Sequence, residues 1–237
     1  MNDQFSRETL ILGDDALLRL QNAHVAVFGI GGVGSFCAEA LARAGVGSLT
    51  LVDDDVVALS NLNRQLIALH STIGKPKAEV MAQRIHDINP ACKVTVKNAR
   101  YEAENREEFL SVSYDYIADA IDSVTCKIDL IVTAIDRNIP IISSMGTGNK
   151  LDPTQFTITD LSKTSGCPLA RVMRRELKNR GIVHHTVLYS AESPRKPILP
   201  PGEDAPKRPV PGSVSWVPSC AGLMIAGYII RQLLNLE

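Results

Sequence analysis

The chain has 237 residues, 45% of them hydrophobic, and a formal net charge of −1 at pH 7. A chain of this length and composition can bury a large core, which excludes a disordered protein and a small disulfide-stapled one. No apolar run reaches the length of a membrane span, the first seven residues are mostly polar, and the five cysteines are scattered. We therefore expect a single elaborated domain in the cytoplasm, with no signal peptide, membrane partner or disulfide framework.

The first predicted elements flank a glycine-rich junction. Leu10–Gln21 is a predicted helix, His24–Phe28 has the pattern of a buried strand, and Ser35–Ala44 is an Ala-rich helix. Glycines between a strand and a helix allow a tight turn that brings backbone N–H groups against a phosphate. The junction therefore predicts a nucleotide site that contains Gly29, Gly31, Gly32 and Gly34.

The second predicted strand, Ser48–Val52, is followed directly by Asp53. An acidic side chain at this place can hold a ribose hydroxyl, and Asp55 at the same strand end is included in the predicted site. Taken alone, this fingerprint indicates a nucleotide without saying which one.

A polar motif after Asp53 indicates the kind of nucleotide. The run Asn61-Leu62-Asn63-Arg64-Gln65 precedes Lys77, which begins a predicted helix over Lys77–Asn89. A nicotinamide dehydrogenase does not need these groups, whereas an enzyme that cleaves ATP does, because fixed cations stabilise the charge on departing pyrophosphate. Each residue alone could instead cap its own turn or lie on a solvated surface. The order of the whole motif favours ATP, with Asn61, Asn63, Arg64, Gln65 and Lys77 in the site.

Strands and helices continue to alternate, which predicts a Rossmann-like, doubly wound α/β fold with a mainly parallel sheet. The next predicted elements are strands Lys93–Asn98 and Asp115–Ala120, helix Ser123–Asn138 and strand Ile139–Met145. The strand Asp115–Ala120 places Asp122 at the carboxyl edge of the sheet, where ligands bind in such folds.

The character of the chain changes after residue 150, where we predict an extension of mixed strands and helices. Its predicted elements are strand Gln155–Asp160, helix Leu169–Asn179, strand Ile182–Ser190 and the apolar helix Trp216–Leu236, a core or dimer-interface element. Seven of the thirteen prolines lie between residues 194 and 211, which predicts a mobile loop there.

Charge is distributed unevenly along the chain. Residues 151–237 contain eleven Lys and Arg against seven Asp and Glu, a balance of +4, so residues 1–150 sum to −5. Four of these cations, Arg171, Arg174, Arg175 and Lys178, lie on one predicted helix. Such a cluster can contact nucleic-acid phosphates, although an ordinary solvated helix face would have the same composition.

The motifs together resemble the superfamily of carboxylate-adenylating enzymes, which includes the ubiquitin-activating enzymes and their bacterial relatives in thiamin and molybdopterin synthesis. The resemblance runs from Arg7-Glu8-Thr9-Leu10-Ile11-Leu12-Gly13 through Asp119-Ala120-Ile121-Asp122-Ser123, over half the chain. It implies that Asp53 binds the ATP ribose, that Asn61, Arg64 and Lys77 contact the phosphates, and that Asp122 holds Mg²⁺.

The same resemblance implies a homodimer in which Arg7 reaches into the neighbouring subunit's active site. Residues 1–150 would be the nucleotide-binding and adenylation core, and residues 151–237 a substrate-binding and dimerisation extension of the same domain. Cys220 is a further candidate catalytic residue without an assigned covalent role, since a helix N-terminus lowers the pKa of a thiol. An inert, small buried cysteine is the alternative.

The cysteines also discriminate between branches of the superfamily. Its sulfur-carrier activators typically hold zinc with two Cys-x-x-Cys pairs, and this sequence contains no such pair. The departure favours the branch that resembles the tRNA threonylcarbamoyladenosine dehydratases, as do the segments Asp152–Gln155 and Thr159–Thr164. We therefore expect ATP and Mg²⁺ but no zinc, and leave open a monovalent cation.

This resemblance implies an ATP-dependent dehydratase that adenylates the carboxylate of threonylcarbamoyladenosine in tRNA and closes it to a cyclic form, releasing AMP and pyrophosphate. Arg171, Arg174, Arg175 and Lys178 would then bind tRNA, and a cysteine-desulfurase or sulfur-acceptor partner stays open. The alternative is an adenylyltransferase for the C-terminal carboxylate of a small ubiquitin-like sulfur carrier. An NAD-binding oxidoreductase and a non-catalytic nucleotide-binding scaffold fit Arg64, Lys77 and Asp122 less well.

Overall fold

The computed structural model describes residues 3–196, 198 and 211–236, and one seven-stranded sheet runs through them. The strands are β1 (His24–Phe28), β2 (Ser48–Val52), β3 (Lys93–Lys97), β4 (Tyr116–Asp119), β5 (Ile141–Ser144), β6 (Phe156–Asp160) and β7 (Thr186–Ser190). Their order in the sheet is β3-β2-β1-β4-β5-β7-β6, and every neighbouring pair is parallel except β6 with β7. The predicted mainly parallel sheet is confirmed.

Eight α-helices lie among the described residues, with short 3₁₀ turns between some of them. They are α1 (Ser6–Leu12), α2 (Asp14–Asn22), α3 (Gly34–Arg43), α4 (Lys77–Ile88), α5 (Arg106–Leu110), α6 (Val124–Asp136), α7 (Pro168–Lys178) and α8 (Trp216–Leu233). With the sheet they make the predicted Rossmann-like α/β fold.

Both faces of the sheet are covered at β1, which explains why this strand is apolar from Val25 to Phe28. Successive strand residues point to opposite faces. Val25 and Val27 accordingly join the hydrophobic cluster that includes residues of α3, α4 and α8. Ala26 and Phe28 join the cluster that includes residues of α5, α6 and α7. A strand covered on both sides has no place for the alternation of polar and apolar residues.

The last helix, α8, packs tightly against the start of α3. A Cβ atom at Gly222 would lie 2.2 Å from the carbonyl oxygen of Val33, so a glycine is required at this approach. The buried residues of α8 include Val217, Ala221 and Ile225. This helix therefore contributes to the core, and it also packs against the end of the glycine-rich turn.

Two predicted elements differ from the structure by more than three residues at one end, whereas the other predicted boundaries agree to within three residues. The predicted helix Leu10–Gln21 is two helices, because Gly13 adopts a φ of +84° and separates α1 from α2. The predicted strand Ile182–Ser190 begins only at Thr186. Ile182, predicted as the first strand residue, instead belongs to the turn that terminates α7. In that turn Gly181 has a φ of +79°, and the Ile182 N–H donates to the Leu177 carbonyl.

The residues after 150 contribute β6 and β7 to the same sheet rather than to a separate one. The predicted proline-rich loop at 194–211 lies outside the described residues except for 194–196, 198 and 211. No helix of the described ranges is both long enough and apolar enough to cross a bilayer.

Candidate active site

A cavity of about 440 Å³ opens at the carboxyl edge of the sheet, beyond β1, β2 and β4. This is where a doubly wound fold binds its ligands, since loops from adjacent strands diverge there. The cavity is lined by residues from five stretches of chain: the glycine-rich turn, the segment after β2, the polar motif with the start of α4, the segment after β3 and the turn after β4. Thr147, Ser213 and Pro218 complete the lining.

The glycine-rich turn forms one wall of the cavity, with Gly29, Gly31 and Gly32 lining it. Gly29 has a φ of +88°, and a Cβ atom there would lie 2.7 Å from the Ala120 carbonyl oxygen. Gly34 begins α3, and a Cβ atom there would lie 1.7 Å from the Gly29 carbonyl oxygen. Side chains at these two positions would force the turn open and remove the close backbone approach.

Asp53 is half-buried where β2 ends. Its carboxylate accepts the Ile30 N–H at 2.6 Å and the Asp55 N–H at 2.9 Å, so it joins the glycine-rich turn to the segment after β2. Burial raises the pKa of Asp53, while the nearby positive charge of Lys77 acts in the opposite direction. A ribose hydroxyl that donates to Asp53 would reach a carboxylate already fixed in orientation by the backbone.

The predicted phosphate-binding residues Arg64 and Lys77 also line the cavity, and a Cβ atom at Gly32 of the glycine-rich turn would lie 3.5 Å from Arg64 Cγ. Lys77 is buried at the start of α4, and its Nζ lies 2.6 Å from Asp55 Oδ2. Arg64 Nη1 donates to the Ser60 carbonyl at 2.9 Å and to Asn63 Oδ1 at 3.0 Å. These contacts orient the guanidinium group beside the cavity that it lines.

Two of the three amide side chains of the motif, Asn61 and Asn63, hold its loop in place. The Asn61 side chain accepts the Ala58 N–H at 3.0 Å, and Asn63 Nδ2 donates to the Ser213 carbonyl at 2.9 Å. Gln65 is buried, and its Oε1 has no hydrogen-bond partner in the described part of the chain. Asn61 and Gln65 line the cavity, whereas Asn63 is exposed beside it and connects the motif to the segment before α8.

Asp122 lies in the turn between β4 and α6 and is exposed at the cavity. No cluster of three or more His, Cys, Asp or Glu side chains that could hold a metal occurs in the ranges 3–196 and 211–236. A metal ion here would therefore depend on Asp122 together with oxygen atoms of a bound ligand.

Two of the predicted catalytic residues, Arg7 and Cys220, do not line the cavity of their own chain. Arg7 is exposed on α1, two residues after Phe5, and the Phe5 ring packs beside Gly45. Gly45 precedes β2, so α1 lies at the amino edge of the sheet, opposite the cavity. Cys220 is partly buried on α8, two residues after the cavity-lining Pro218.

The four cations predicted to bind tRNA all lie on α7, but they do not share one environment. Ala170, Met173 and Leu177 bury the other face of the helix. Arg174 turns inward and donates to the Thr164 carbonyl at 2.7 Å. The exposed members are therefore Arg171, Arg175 and Lys178. Arg175 contacts the neighbouring Glu176 at 2.9 Å.

Sequence reasoning did not identify several residues that line the cavity. Arg100 and Cys126 are two of them, one after β3 and one in the first turn of α6. Arg100 could have been found by the rule that ligands bind beyond the carboxyl ends of parallel strands. Ser213 and Pro218 come from the far end of the chain, and nothing in their local sequence indicated this position.

Comparison with known proteins identifies relatives along the whole chain. The model of the ThiF family matches residues 5–237. A tRNA threonylcarbamoyladenosine dehydratase of Bacillus subtilis is 46% identical over 247 residues, which cover 99% of this chain and 96% of that protein. The protein of the same name from Escherichia coli is 47% identical over 176 residues, with coverage of 74% and 66%.

The fold agrees with solved structures of the Escherichia coli enzyme. Its crystal structure in complex with ATP matches with a TM-score of 0.88 at 38% identity, covering 98% of this chain and 94% of that one. The structure in complex with AMP matches with a TM-score of 0.89 at 37% identity and the same coverage.

Proposed function

Because the chain belongs to the ThiF family, we propose that it is an ATP-dependent dehydratase that acts on threonylcarbamoyladenosine in tRNA. The observation that supports this most directly is the convergence of Asp53, Arg64, Lys77 and Asp122 on one cavity beside a glycine-rich turn. An acidic ribose ligand, two cations and a free carboxylate suit a nucleoside triphosphate whose phosphates react.

The chemistry begins with transfer of AMP to the substrate carboxylate. A carboxylate oxygen attacks the α-phosphorus of ATP, the bond to the bridging oxygen breaks, and pyrophosphate leaves with the electron pair. The resulting acyl adenylate is then attacked by the carbamoyl oxygen of the same side chain. AMP is expelled and the carbamoyl N–H loses its proton, so the substrate has lost one water. Because the nucleophile is tethered, ring closure requires little more than orientation.

Arg64 and Lys77 stabilise the charge that develops on the leaving pyrophosphate. Both are held by the protein before ATP enters, Arg64 by the Ser60 carbonyl and Lys77 by Asp55. Donors that are fixed in advance need no reorganisation when the charge appears, which is why they lower the barrier. Phosphate oxygens can replace Asp55 as the partner of Lys77, since Asp55 is exposed and returns to water without a large penalty.

The donor set around Asp122 fits a Mg²⁺ ion that enters with ATP. Magnesium is usually bound through one or two carboxylates together with substrate phosphates. Asp122 offers one exposed carboxylate in the cavity. Bound there, the ion would neutralise part of the phosphate charge.

Arg7 completes the site of a second subunit in a homodimer. It lies at the amino edge of its own sheet, so it cannot reach its own cavity without unfolding α1. The neighbouring α1 residues Leu10 and Ile11 are 83% and 86% exposed, an arrangement that suits an element covered by a partner. In a two-fold dimer the same surface on each chain would present Arg7 to the other.

The exposed cations of α7 attract tRNA to the site. Arg171, Arg175 and Lys178 lie on the solvent face of an amphipathic helix. Contacts of this kind supply affinity that does not depend on nucleotide sequence. Arg174, by contrast, holds the loop around Thr164 and serves the fold.

The experiment is to incubate the purified full chain with ATP, Mg²⁺ and tRNA that contains threonylcarbamoyladenosine, and to analyse the nucleosides by mass spectrometry. The proposal expects a nucleoside lighter by one water, with AMP and pyrophosphate formed in equal amounts. An unchanged nucleoside, with pyrophosphate exchange supported instead by a small ubiquitin-like protein, would assign the chain to sulfur-carrier activation.

A further inference from the structure

A fully buried ion pair lies directly behind the nucleotide cavity. Lys127 of α6 and Asp119 at the end of β4 are both 0% exposed, and Lys127 Nζ lies 2.8 Å from Asp119 Oδ2. The contact is an ion pair without a hydrogen bond, since Asp119 Oδ2 makes no hydrogen bond in the described part of the chain. Burying two charges costs several kcal/mol per ion, and an apolar pair of similar volume is often as stable or more so. A gain in folding stability alone therefore does not explain why the fold contains this ion pair.

The pair fixes the turn that connects β4 to α6. Asp119 Oδ1 accepts the Ile121 N–H at 3.1 Å, which closes the turn over the carboxylate. Lys127 Nζ also donates to the Asp119 carbonyl at 3.4 Å. The lysine thus contacts both the side chain and the backbone of the aspartate. The next four residues, 120–123, all line the cavity, and Asp122 is among them.

The turn has little room to shift. The Ala120 N–H donates to the Phe28 carbonyl at 2.8 Å. The Ala120 carbonyl also lies against Gly29, where an added Cβ atom would be only 2.7 Å from the Ala120 oxygen. The turn after β4 and the glycine-rich turn therefore form one packed unit. A displacement of Asp119 would move Asp122 and the phosphate-binding backbone together.

We propose that Asp119 and Lys127 are positioning residues, which act on the reaction by holding the 120–123 turn so that Asp122 faces the ATP phosphates. Neither side chain lines the cavity, so both act through the turn. The expected effect of the pair on catalysis rests on the proposed function, whereas its expected effect on local order rests only on the geometry of the turn.

The test is the double variant Asp119→Asn with Lys127→Met, which leaves no unpaired buried charge. The amide oxygen of the introduced asparagine can still accept the Ile121 N–H, so the change removes the two Lys127 contacts and keeps an acceptor for the turn. We expect kcat to fall about 10–10²-fold with a smaller change in KM for ATP, because a small misplacement of a reacting group has this cost. Amide hydrogen exchange should become faster in a peptide covering 119–124 and stay unchanged in β1 and β2.

An ion pair away from the cavity, with a nearly buried glutamate and a partly exposed arginine, provides the control. Arg84 Nε lies 2.6 Å from Glu39 Oε2, and this pair connects α3 to α4 without lining the cavity. The double variant Glu39→Gln with Arg84→Met should lower thermal stability without changing exchange at 119–124. If the Asp119 and Lys127 variant does not fold, Asp119→Glu keeps the charge and displaces the carboxylate by one methylene, and the same readouts apply.

The outcomes separate this inference from the proposed function. Wild-type exchange at 119–124, together with wild-type kcat, would overturn the positioning role whatever happens to stability. If the wild-type chain forms no cyclic nucleoside, ATP affinity measured by calorimetry with and without Mg²⁺ replaces kcat. A variant that loses the gain in affinity given by Mg²⁺, with faster exchange in the turn, then supports the inference; unchanged affinity and exchange contradict it.

Discussion

Lys77 Nζ lies 2.6 Å from Asp55 Oδ2, and the two side chains differ sharply in exposure, 7% for the lysine and 67% for the aspartate. The Lys77 N–H also donates to the Asp55 carbonyl at 3.0 Å, so helix α4 begins against this residue. The protein thus holds the cation rigidly while its carboxylate partner stays hydrated. An incoming phosphate can take the place of the carboxylate at little cost.

The first prediction concerns Lys77. Lys77→Ala should lower turnover about 10²–10³-fold, the usual cost of losing one donor to a developing charge. Steady-state kinetics would measure this, with circular dichroism to show that the fold persists. Lys75→Ala, at an exposed lysine two residues earlier, is the matched control and should keep wild-type turnover. Near-normal activity in Lys77→Ala would mean that the phosphates bind elsewhere.

The second prediction concerns the shared site of a dimer. Arg7→Ala and Lys77→Ala proteins should each be nearly inactive, because each lacks one part of every site. Mixing them should restore part of the activity, since one hybrid site then contains both side chains. Subunit exchange would be verified by native mass spectrometry. Exchange without recovered activity would show that Arg7 does not serve the partner's cavity.

The third prediction concerns the solvent face of α7. Reversing the charge of Arg171, Arg175 and Lys178 to Glu should weaken tRNA binding and reduce its dependence on salt, by up to about one unit of log–log slope per lost contact. ATP affinity should not change. Filter binding over a salt series would measure the effect.

Two comparisons make this result specific to the proposed surface. The single variant Arg171→Glu is also compared with Lys93→Glu on the edge strand β3, which changes the net charge by the same amount. Arg174→Ala should lower stability more than tRNA affinity, because its guanidinium contacts Thr164. Equal tRNA affinity and salt slope in the triple variant and the wild type would mean that α7 is an ordinary solvated face.

The fourth prediction concerns pH. His185 is buried and hydrogen-bonds Ser143 Oγ at 2.8 Å. Burial lowers its pKa from 6.5 to about 4; Lys127 adds to this lowering and Asp160 opposes it. Between these two values the unfolded chain binds a proton that the folded chain excludes. The contribution of neutral His185 to the free energy of unfolding is therefore fully present above pH 6.5 and is lost as the pH falls towards 4.

Urea unfolding at about pH 7.5 and about pH 5 would measure the part lost between these pH values, about 2 kcal/mol out of on the order of 3 kcal/mol for the whole window. His185→Gln should remove that part of the pH dependence. His184→Gln, at the exposed neighbour, should leave it in place. A His185→Gln protein with the same pH dependence as the wild type would show that other groups cause it.

The parts of the site that the sequence predicted are those fixed by local rules. The glycine-rich turn, Asp53 and the start of α4 at Lys77 follow from strand and helix patterns with short-range geometry, and the structure places all of them at one sheet edge. The orientation of Arg174 could not be predicted, because it depends on a carbonyl ten residues away in a loop without periodicity. The Asp119–Lys127 pair was missed because a buried charge is recognisable only once its surroundings are known.

The break between α1 and α2 shows a different limit. Gly13 lies inside a run with helical composition, and the cost of a glycine in a helix is only about 1 kcal/mol. Local sequence therefore does not determine whether the helix continues. The positive φ at Gly13 ends the first helix. The position of that helix depends on Phe5, which packs beside Gly45, far along the chain. Such long-range packing leaves no periodic signal.

The most direct test of the account follows a labelled oxygen atom. The substrate tRNA is prepared with a heavy oxygen isotope in both oxygens of the threonylcarbamoyl carboxylate, and is allowed to react with the full chain, ATP and Mg²⁺. If the carboxylate attacks the α-phosphorus, the AMP that leaves during ring closure contains one labelled oxygen, and pyrophosphate contains none. Unlabelled AMP, or label in pyrophosphate or inorganic phosphate, would contradict carboxylate adenylation by this protein.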